Sequence, residues 1–389
     1  MQSARSWLGL QNIRLSLADW SLLPVPVLLF FSYHPVIPVA QGVYRTNYEF
    51  SILELYLVLF VFLNLALIWQ ARRKILVNMG ARLATVFGLY STLSILWSPD
   101  VLRAIVTSGL IWILIFTFYS LLANKNLPKL VESLVRIFIV ASVFVSFFAF
   151  YQMAAASIPA LSDSAFLCAG CQANQFGFAR PNGFAIEPQF LGSLLMAPIL
   201  LLVHFTIVKK QSLLTYVVLG ILLTAFFLTL SRGAIFSLAL GVVILALVYR
   251  SRFKHIFASL GVIFASFVIA LVIQGTAAQF NPTTSVTFSQ AIAVSIHQLS
   301  LGVVDFRATP VVVTETPASS EPVKPGDPAL FEGYVERSTS ERVEASCLAL
   351  GTWTQSPAHT LFGAGIAGTG YFFETQPTRS TAPWCKTNI

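Results

Sequence analysis

The chain has 389 residues, 56% of them hydrophobic and only 10% charged, with a formal net charge of +8. Soluble domains carry about 25% charged residues, and a soluble fold of this length cannot keep so much apolar surface from water. A bilayer lifts that limit, so composition alone places the chain among integral membrane proteins. The positive charge does not indicate nucleic acid, because the basic residues sit in short clusters between apolar runs, the pattern of membrane topology.

The opening segment, MQSARSWLGLQNIRLSLADW, has no continuous apolar core and no small-residue cleavage site. No cleavable signal peptide is expected, and the first membrane helix serves as its own insertion signal. A helix needs about 20 apolar residues to cross the hydrocarbon. Nine runs answer that need, near 21–40, 51–70, 82–98, 104–122, 132–156, 188–208, 212–230, 233–249 and 256–274. The first is the weakest, being rich in proline and containing His34. The predicted fold is an all-α integral membrane protein. It has a bundle of about nine transmembrane helices over residues 1–274 and a large extracytoplasmic region over 275–389.

Charge fixes the expected orientation. With the N-terminus in the cytoplasm, the inner loops carry Arg5, Arg14, Arg72, Arg73, Lys74, Arg82, Lys125, Lys129, Lys209, Lys210, Arg250, Arg252 and Lys254, against Arg45, Arg103, Arg180 and Arg232 outside. That is a strong positive-inside bias. Of the acids, Asp19 and Glu132 lie inside. Two outer segments stand out, 157–187 and the stretch from about 275 onward. The latter opens with TPVVVTETPASSEPVKPGDP, a composition that favours extended chain over a packed core. Val343, Cys347, Leu350 and Thr354 then recur at helical spacing, and Ser338 with Glu341 forms a capping box. An amphipathic outer helix is expected at about 340–354, either on the membrane surface or covering the bundle. The stop at Ile389 without a closing element is read as a C-terminally truncated chain.

All four cysteines, Cys168, Cys171, Cys347 and Cys385, fall on the expected outer side, where disulfides form. Cys168 and Cys171 have the spacing of a redox or zinc half-site, but no second pair follows at zinc spacing. Structural disulfides are expected, with three connectivities open, and no metal.

Residues able to carry chemistry gather on the outer side. Arg180 lies in FARPNGFAIEPQFLG, just before the sixth helix. Pro188 suits the first position of that helix, which puts Glu187 at its N-terminus, where it is either a catalytic carboxylate or a cap. Arg232, in LTLSRGAIF, sits in a turn of a few residues against the positive-inside trend, and a charge near hydrocarbon is costly unless it pairs or faces water. A guanidinium is permanently charged and makes forked hydrogen bonds to phosphate. Two at the membrane surface could hold a diphosphate whose lipid tail stays in the bilayer, and stabilise charge on it as a leaving group. In QSPAHTLFGAGIAGTG, Gly363, Gly365 and Gly368 match G-x-G-x-x-G, but without a strand and helix around them they are not a dinucleotide site. They predict a glycine bend that brings backbone near a ligand or helix. His359 is a potential proton acceptor, and Arg337 and Arg342 could extend an anion site. A plain solvated surface is the competing reading for all three.

R-P-N-G-F-A-I-E-P-Q-F-L-G at 180–192, S-R-G-A at 231–234, F-G-A-G-I-A-G at 362–368 and W-S-P-D at 97–100 resemble, in order and spacing, the O-antigen ligase and polymerase family of bacterial membrane glycosyltransferases. The resemblance implies about a dozen helices and an undecaprenyl-diphosphate-linked glycan as donor. It also implies transfer at the outer face of the cytoplasmic (inner) membrane, without metal, cofactor or nucleotide sugar. It assigns Arg180 and Arg232 to the diphosphate. Acceptors in the family are glycan, lipid or protein, as lipopolysaccharide and exopolysaccharide biosynthesis require. Ligases carry a histidine late in the outer loop, where this chain reads Cys385-Lys386-Thr387-Asn388-Ile389. His359 precedes the glycine bend and does not take that role, which leans the expectation toward a polymerase. The competing class is a transporter of small anions such as bicarbonate. A transporter needs polar or charged groups at the bilayer midplane, whereas the charges here lie near helix ends.

Overall fold

The computed structural model describes residues 16–33, 35–41, 47–158, 161, 165, 173–175, 178–185, 187–208, 212–280, 287–299, 346–347, 349–351, 353–354, 356–363 and 365–366. They are overwhelmingly helical. In chain order the elements are α1 (Leu17–Trp20), α2 (Val25–Leu28), β1 (Val36–Gln41), β2 (Asn47–Ser51), α3 (Ile52–Gln70), α4 (Arg72–Val77), α5 (Met79–Leu93), α6 (Val101–Ala123) and α7 (Leu127–Ala156). There follow β3 (Ala173–Gln175), β4 (Phe178–Arg180), α8 (Pro188–Val208), α9 (Leu213–Leu228), α10 (Arg232–Val248), α11 (Phe253–Gln279), α12 (Phe288–Leu299) and α13 (Pro357–Phe362).

Helix occurs in all nine predicted runs, but among the described residues six helices are long and apolar enough to cross a membrane. They are Ile52–Gln70, Met79–Trp97, Val101–Ala123, Leu127–Ala156, Pro188–Val208 and Lys254–Gln279. These make the chain a multi-pass membrane protein. Their outward faces agree: Leu96 is 83% exposed and Trp69, Phe144 and Phe264 are nearly as bare, a surface that water would not tolerate and lipid does. The helices α9 and α10 rise only about 24–26 Å at 1.5 Å per residue, short of the ~30 Å hydrocarbon thickness. The expected first span, 21–40, is not one helix. It breaks after Trp20 and ends in a 3-10 turn at Leu29–Phe31, and Val36–Gln41 instead pairs antiparallel with Asn47–Ser51. Prolines at 24, 26, 35 and 38 explain the break, because each removes an amide donor and restrains the residue before it. Pro38 lies at the irregularity in the hairpin register.

The chain divides into two compact units. The first comprises residues 1–25, 36–133 and 336–389. Ser51 and Glu54 cap α3 reciprocally, with Ser51 N donating to Glu54 Oε2 at 2.7 Å and Glu54 N to Ser51 Oγ at 3.2 Å. Polar pairs then join the helices. Asn64 donates to Ser21 Oγ, Trp112 Nε1 to Thr92 Oγ1, and Thr92 pairs with Ser108. Such pairs are the glue of helices that gain no hydrophobic advantage from meeting in lipid. The strongest junction is Asp19. It is fully buried and accepts from Ser16 N at 2.8 Å, Asn124 Nδ2 at 3.0 Å and Asn126 Nδ2 at 2.9 Å, tying α1 to the loop between α6 and α7.

The second unit, residues 26–35 and 134–335, is built around α9. Leu219, Leu222, Leu223 and Phe226 are completely buried, and every residue from 222 to 228 is buried, so the second half of α9 is apolar on every side because it is surrounded on every side. Ser266 Oγ of α11 donates to the Gly220 carbonyl of α9 at 3.3 Å, and Thr206 of α8 pairs with Ser259 of α11 at 2.8 Å.

Burial pushes the Asp19 carboxyl up, but the hydrogen bonds it accepts from Ser16, Asn126 and Asn124 outweigh this and hold it below the usual carboxylate range. A lowered native value means that the stabilisation is fully present above the unfolded pKa of about 3.9 and is lost as pH falls through the native value. Asp19→Ala should therefore lower thermal stability in detergent at pH 7, with each stranded amide costing about 1–3 kcal/mol. The gap from wild type should narrow as pH drops below about 4. An equal gap at both pH values would refute the role of the ionised carboxylate.

Candidate functional site

The segment from Arg180 to Phe190 is held by a side chain with no charge. Gln152, completely buried near the end of α7, accepts from Asn182 N at 3.1 Å and Gly183 N at 2.8 Å through Oε1. Its Nε2 donates to Ala165 O at 3.0 Å, Asn182 Oδ1 at 2.9 Å and Gly183 O at 3.2 Å. Gly183 has φ +60°, and a Cβ there would lie 3.2 Å from Leu191 Cδ1 and 3.3 Å from Val145 Cγ1, so both backbone hand and space ask for glycine. Phe184 stacks on Phe148, with centroids 4.7 Å apart and planes at 8°, and leans on Phe31 at 4.5 Å. Pro188 begins α8, as its lack of an amide proton predicted. Glu187 immediately precedes it. Its carbonyl accepts from Phe190 N, and its exposed carboxylate accepts from the Gln189 side-chain amide.

Arg180 ends β4 and is only 7% exposed. Its Nε donates to Thr229 O at 2.8 Å, and Nη2 donates to the same oxygen. Thr229 follows the last residue of α9, so the cation sits at the negative end of that helix. The turn it grips is short and buried. Thr229 Oγ1 donates to Phe226 O at 2.7 Å and accepts from Ser231 N at 3.3 Å, and Leu230, 2% exposed, takes φ +47°. Gly192 of α8 presses on the turn from another side, where a Cβ would lie 3.1 Å from both Thr229 Oγ1 and Ala234 Cβ. Ser231 caps α10, and Arg232 is that helix's first residue, half-buried. A cation here works against the helix dipole, so capping does not explain it. The geometry thus brings the Arg180 guanidinium onto the turn that carries Arg232. Fixed positive charge and a helix N-terminus lie together, an arrangement suited to an anion.

The first unit contains a second cluster. Ser356 caps α13 by accepting from His359 N at 3.1 Å. Gly363 and Gly365 then turn the chain with φ +71° and +82°. This is the bend that the glycine spacing predicted, and it meets the W-S-P-D corner. Tyr90 Oη donates to Phe362 O at 2.7 Å, Ser98 Oγ to Ile366 O at 2.9 Å, and Ile366 N to Ser94 Oγ at 3.2 Å. A Cβ on Gly365 would lie 2.7 Å from Ser98 Cα. Asp100 caps α6 through Oδ1, accepting from Arg103 N at 3.0 Å, while its Oδ2 is buried without a hydrogen-bond partner among the described residues.

Arg337, Arg342, Cys168, Cys171 and Cys385 lie outside the described residues, as do Gly368 and the capping pair Ser338 and Glu341. Cys347 is disulfide-bonded. Residues 346–347, 349–351 and 353–354, within the expected outer helix, are helical. Trp353 Nε1 donates to Thr360 O at 3.0 Å, joining this stretch to α13. No group of three or more histidine, cysteine, aspartate or glutamate side chains that could hold a metal ion lies together among the described residues. Gln152, Thr229 and Gly192 escaped the sequence reading. A glutamine in a long apolar run was the available signal for the first, and nothing local marked the other two. No protein-family model, curated protein or solved structure matches the chain.

Gln152→Leu should cost about 2–4 kcal/mol in unfolding free energy, because several buried groups lose their partner at roughly 1–3 kcal/mol each. Hydrogen exchange should rise at 182–183 while α9 stays protected. Gly365→Ala cannot keep its backbone so near Ser98. Limited proteolysis of 356–366 should accelerate several-fold, and unchanged cleavage would show that the bend is not held there.

Proposed function

We propose that the protein is a membrane glycosyltransferase that transfers or polymerises a glycan carried on a polyprenyl diphosphate, at the outer face of the cytoplasmic membrane. The observation that carries this reading is the convergence of Arg180 on the turn that bears Arg232. In that arrangement Arg232 and the first amides of α10 hold the diphosphate, and Arg180 keeps the turn in place and adds its charge. As the glycosidic bond breaks, negative charge builds on the departing diphosphate, and donors fixed in advance stabilise it without reorganising. The protein residues supply binding and leaving-group stabilisation and need no redox partner.

An apolar groove of about 550 Å³ supports a lipid-borne substrate. It runs between the ends of α7 and α11 and is lined by Phe150, Met153, Ile158, Val272, Ile273 and Phe280 among others. The end of α7 that forms one wall also packs Ala155 and Ala156 against Ala179, the neighbour of Arg180. The groove and the strand that ends in Arg180 thus share the end of α7. The resemblance of 180–192, 231–234 and 362–368 to O-antigen ligases and polymerases agrees with this reading. An anion transporter is the second reading, and the placement of both arginines at element ends rather than mid-helix argues against it.

The test is reconstitution with a polyprenyl-diphosphate oligosaccharide. Wild type should lengthen or transfer the glycan. Arg232→Ala should slow it by about 10²–10³, the scale of losing one oxyanion donor. Arg180→Ala should lose activity and stability together, because Thr229 O is left buried without its donors. Full activity in both variants would reject the site. Anion uptake without glycan consumption would establish the transporter.

A further inference from the structure

Gln274 of α11 is 1% exposed, and its Nε2 has no hydrogen-bond partner among the described residues. A buried amide donor left in this state destabilises the fold, and its neighbours on the same face, Ala270 and Ala278, are both buried. Its position points to a purpose. Phe267 lies seven residues earlier on that face, and its ring packs on Phe227 of α9 at 5.3 Å, edge to face. Seven residues raise Gln274 about 10 Å above that contact, at 1.5 Å per residue. Phe227 is two residues before Thr229, and α11 also packs on β4, the strand that ends in Arg180; Ser157 Oγ donates to Ala277 O at 3.2 Å, three residues beyond Gln274, beside the end of α7 whose Ala155 packs on Ala179. The unpartnered amide therefore lies where the end of α9 and the Arg180 strand come together.

We infer that Gln274 is a ligand-binding residue: its Nε2 donates a hydrogen bond to a diphosphate held by Arg180, Arg232 and the start of α10. The inference rests on the anion site proposed above but not on glycan transfer. The ligand must be an acceptor-rich anion, because the group it satisfies is a donor and its neighbours are cations. A small halide would be too small to span all three. A diphosphate offers many oxygens over several ångströms and can meet the guanidinium groups and the amide together.

The experiment uses the purified protein in phosphatidylcholine nanodiscs, with inorganic diphosphate and farnesyl diphosphate as separate calorimetric probes. Wild type should bind at least one. Gln274→Leu should weaken that binding about tenfold or more, as expected for a hydrogen bond to a charged group, while its melting temperature stays level or rises. That combination separates a ligand contact from a structural one. Gln274→Glu, which places a carboxylate against the anion, should weaken binding further. If Gln274→Leu proves unstable, Gln274→Met gives the same removal of the donor with a more adaptable side chain. Tighter farnesyl than inorganic binding marks a lipid-borne diphosphate, and equal affinities mark a free one. Affinity unchanged in the leucine and methionine variants overturns the inference, as does a wild type that binds neither probe. Glycan transfer indifferent to Gln274 would sink this inference and leave the glycosyltransferase reading standing. Gln274-dependent binding without any transfer would do the reverse.

Discussion

Two hydrogen bonds from one guanidinium to one carbonyl organise the second unit. Arg180 reaches Thr229 O across 49 residues of sequence, and through that oxygen it joins a short strand to the end of the most buried helix. The neighbouring contacts depend on that junction. Gly192 fits against the turn only because the turn is tight, and Gln152 presents Asn182 and Gly183 so that Arg180, two residues earlier, can reach. A cation at a helix C-terminus is favourable on dipole grounds. A cation at the next helix's first residue is not. The contrast separates the two arginines: Arg180 meets the negative end of α9, while Arg232 stands at the positive end of α10.

The bilayer explains why polar atoms rather than apolar ones hold the helices together. Phe62, Trp69, Leu96 and Phe144 point outward, so greasy surface is no guide to the interior here. What distinguishes the interior is small residues and satisfied polar pairs. Gly88 admits the rings of Trp112 and the side chain of Ile115, Gly275 admits Phe288, and Ser, Thr and Asn side chains bridge the close approaches.

Much of this was legible because it is local. Apolar run length located the helices, Pro188 announced the start of α8, the few residues between two apolar runs announced a short turn though not its burial, and paired glycines announced the bend at 363–365. The failures share a cause. The β1–β2 hairpin was hidden because Val36–Gln41 is apolar enough to pass for the end of a span, and only the prolines argued otherwise. The shortness of α9 and α10 was hidden because hydropathy continues through the turn at Leu230. Gln152 and Gln274 look alike in sequence, each a single amide in a hydrophobic run. One is saturated with hydrogen bonds and the other has none from Nε2, a difference set chiefly by Asn182 and Gly183, 30 and 31 positions away from Gln152 and outside any local window.

Leu230 holds a left-handed backbone without being glycine, which costs on the order of 1–2 kcal/mol. Its side chain is buried and its neighbour's carbonyl is gripped by Arg180, so the conformation is imposed from outside the turn. Any anion that draws the Arg180 guanidinium off Thr229 would loosen that imposition as well. Occupancy of the site and the backbone state of residues 229–231 are then thermodynamically linked, with a coupling bounded by the strain available, about tenfold in affinity. The turn joining α9 and α10 would thus report on the ligand as well as hold it.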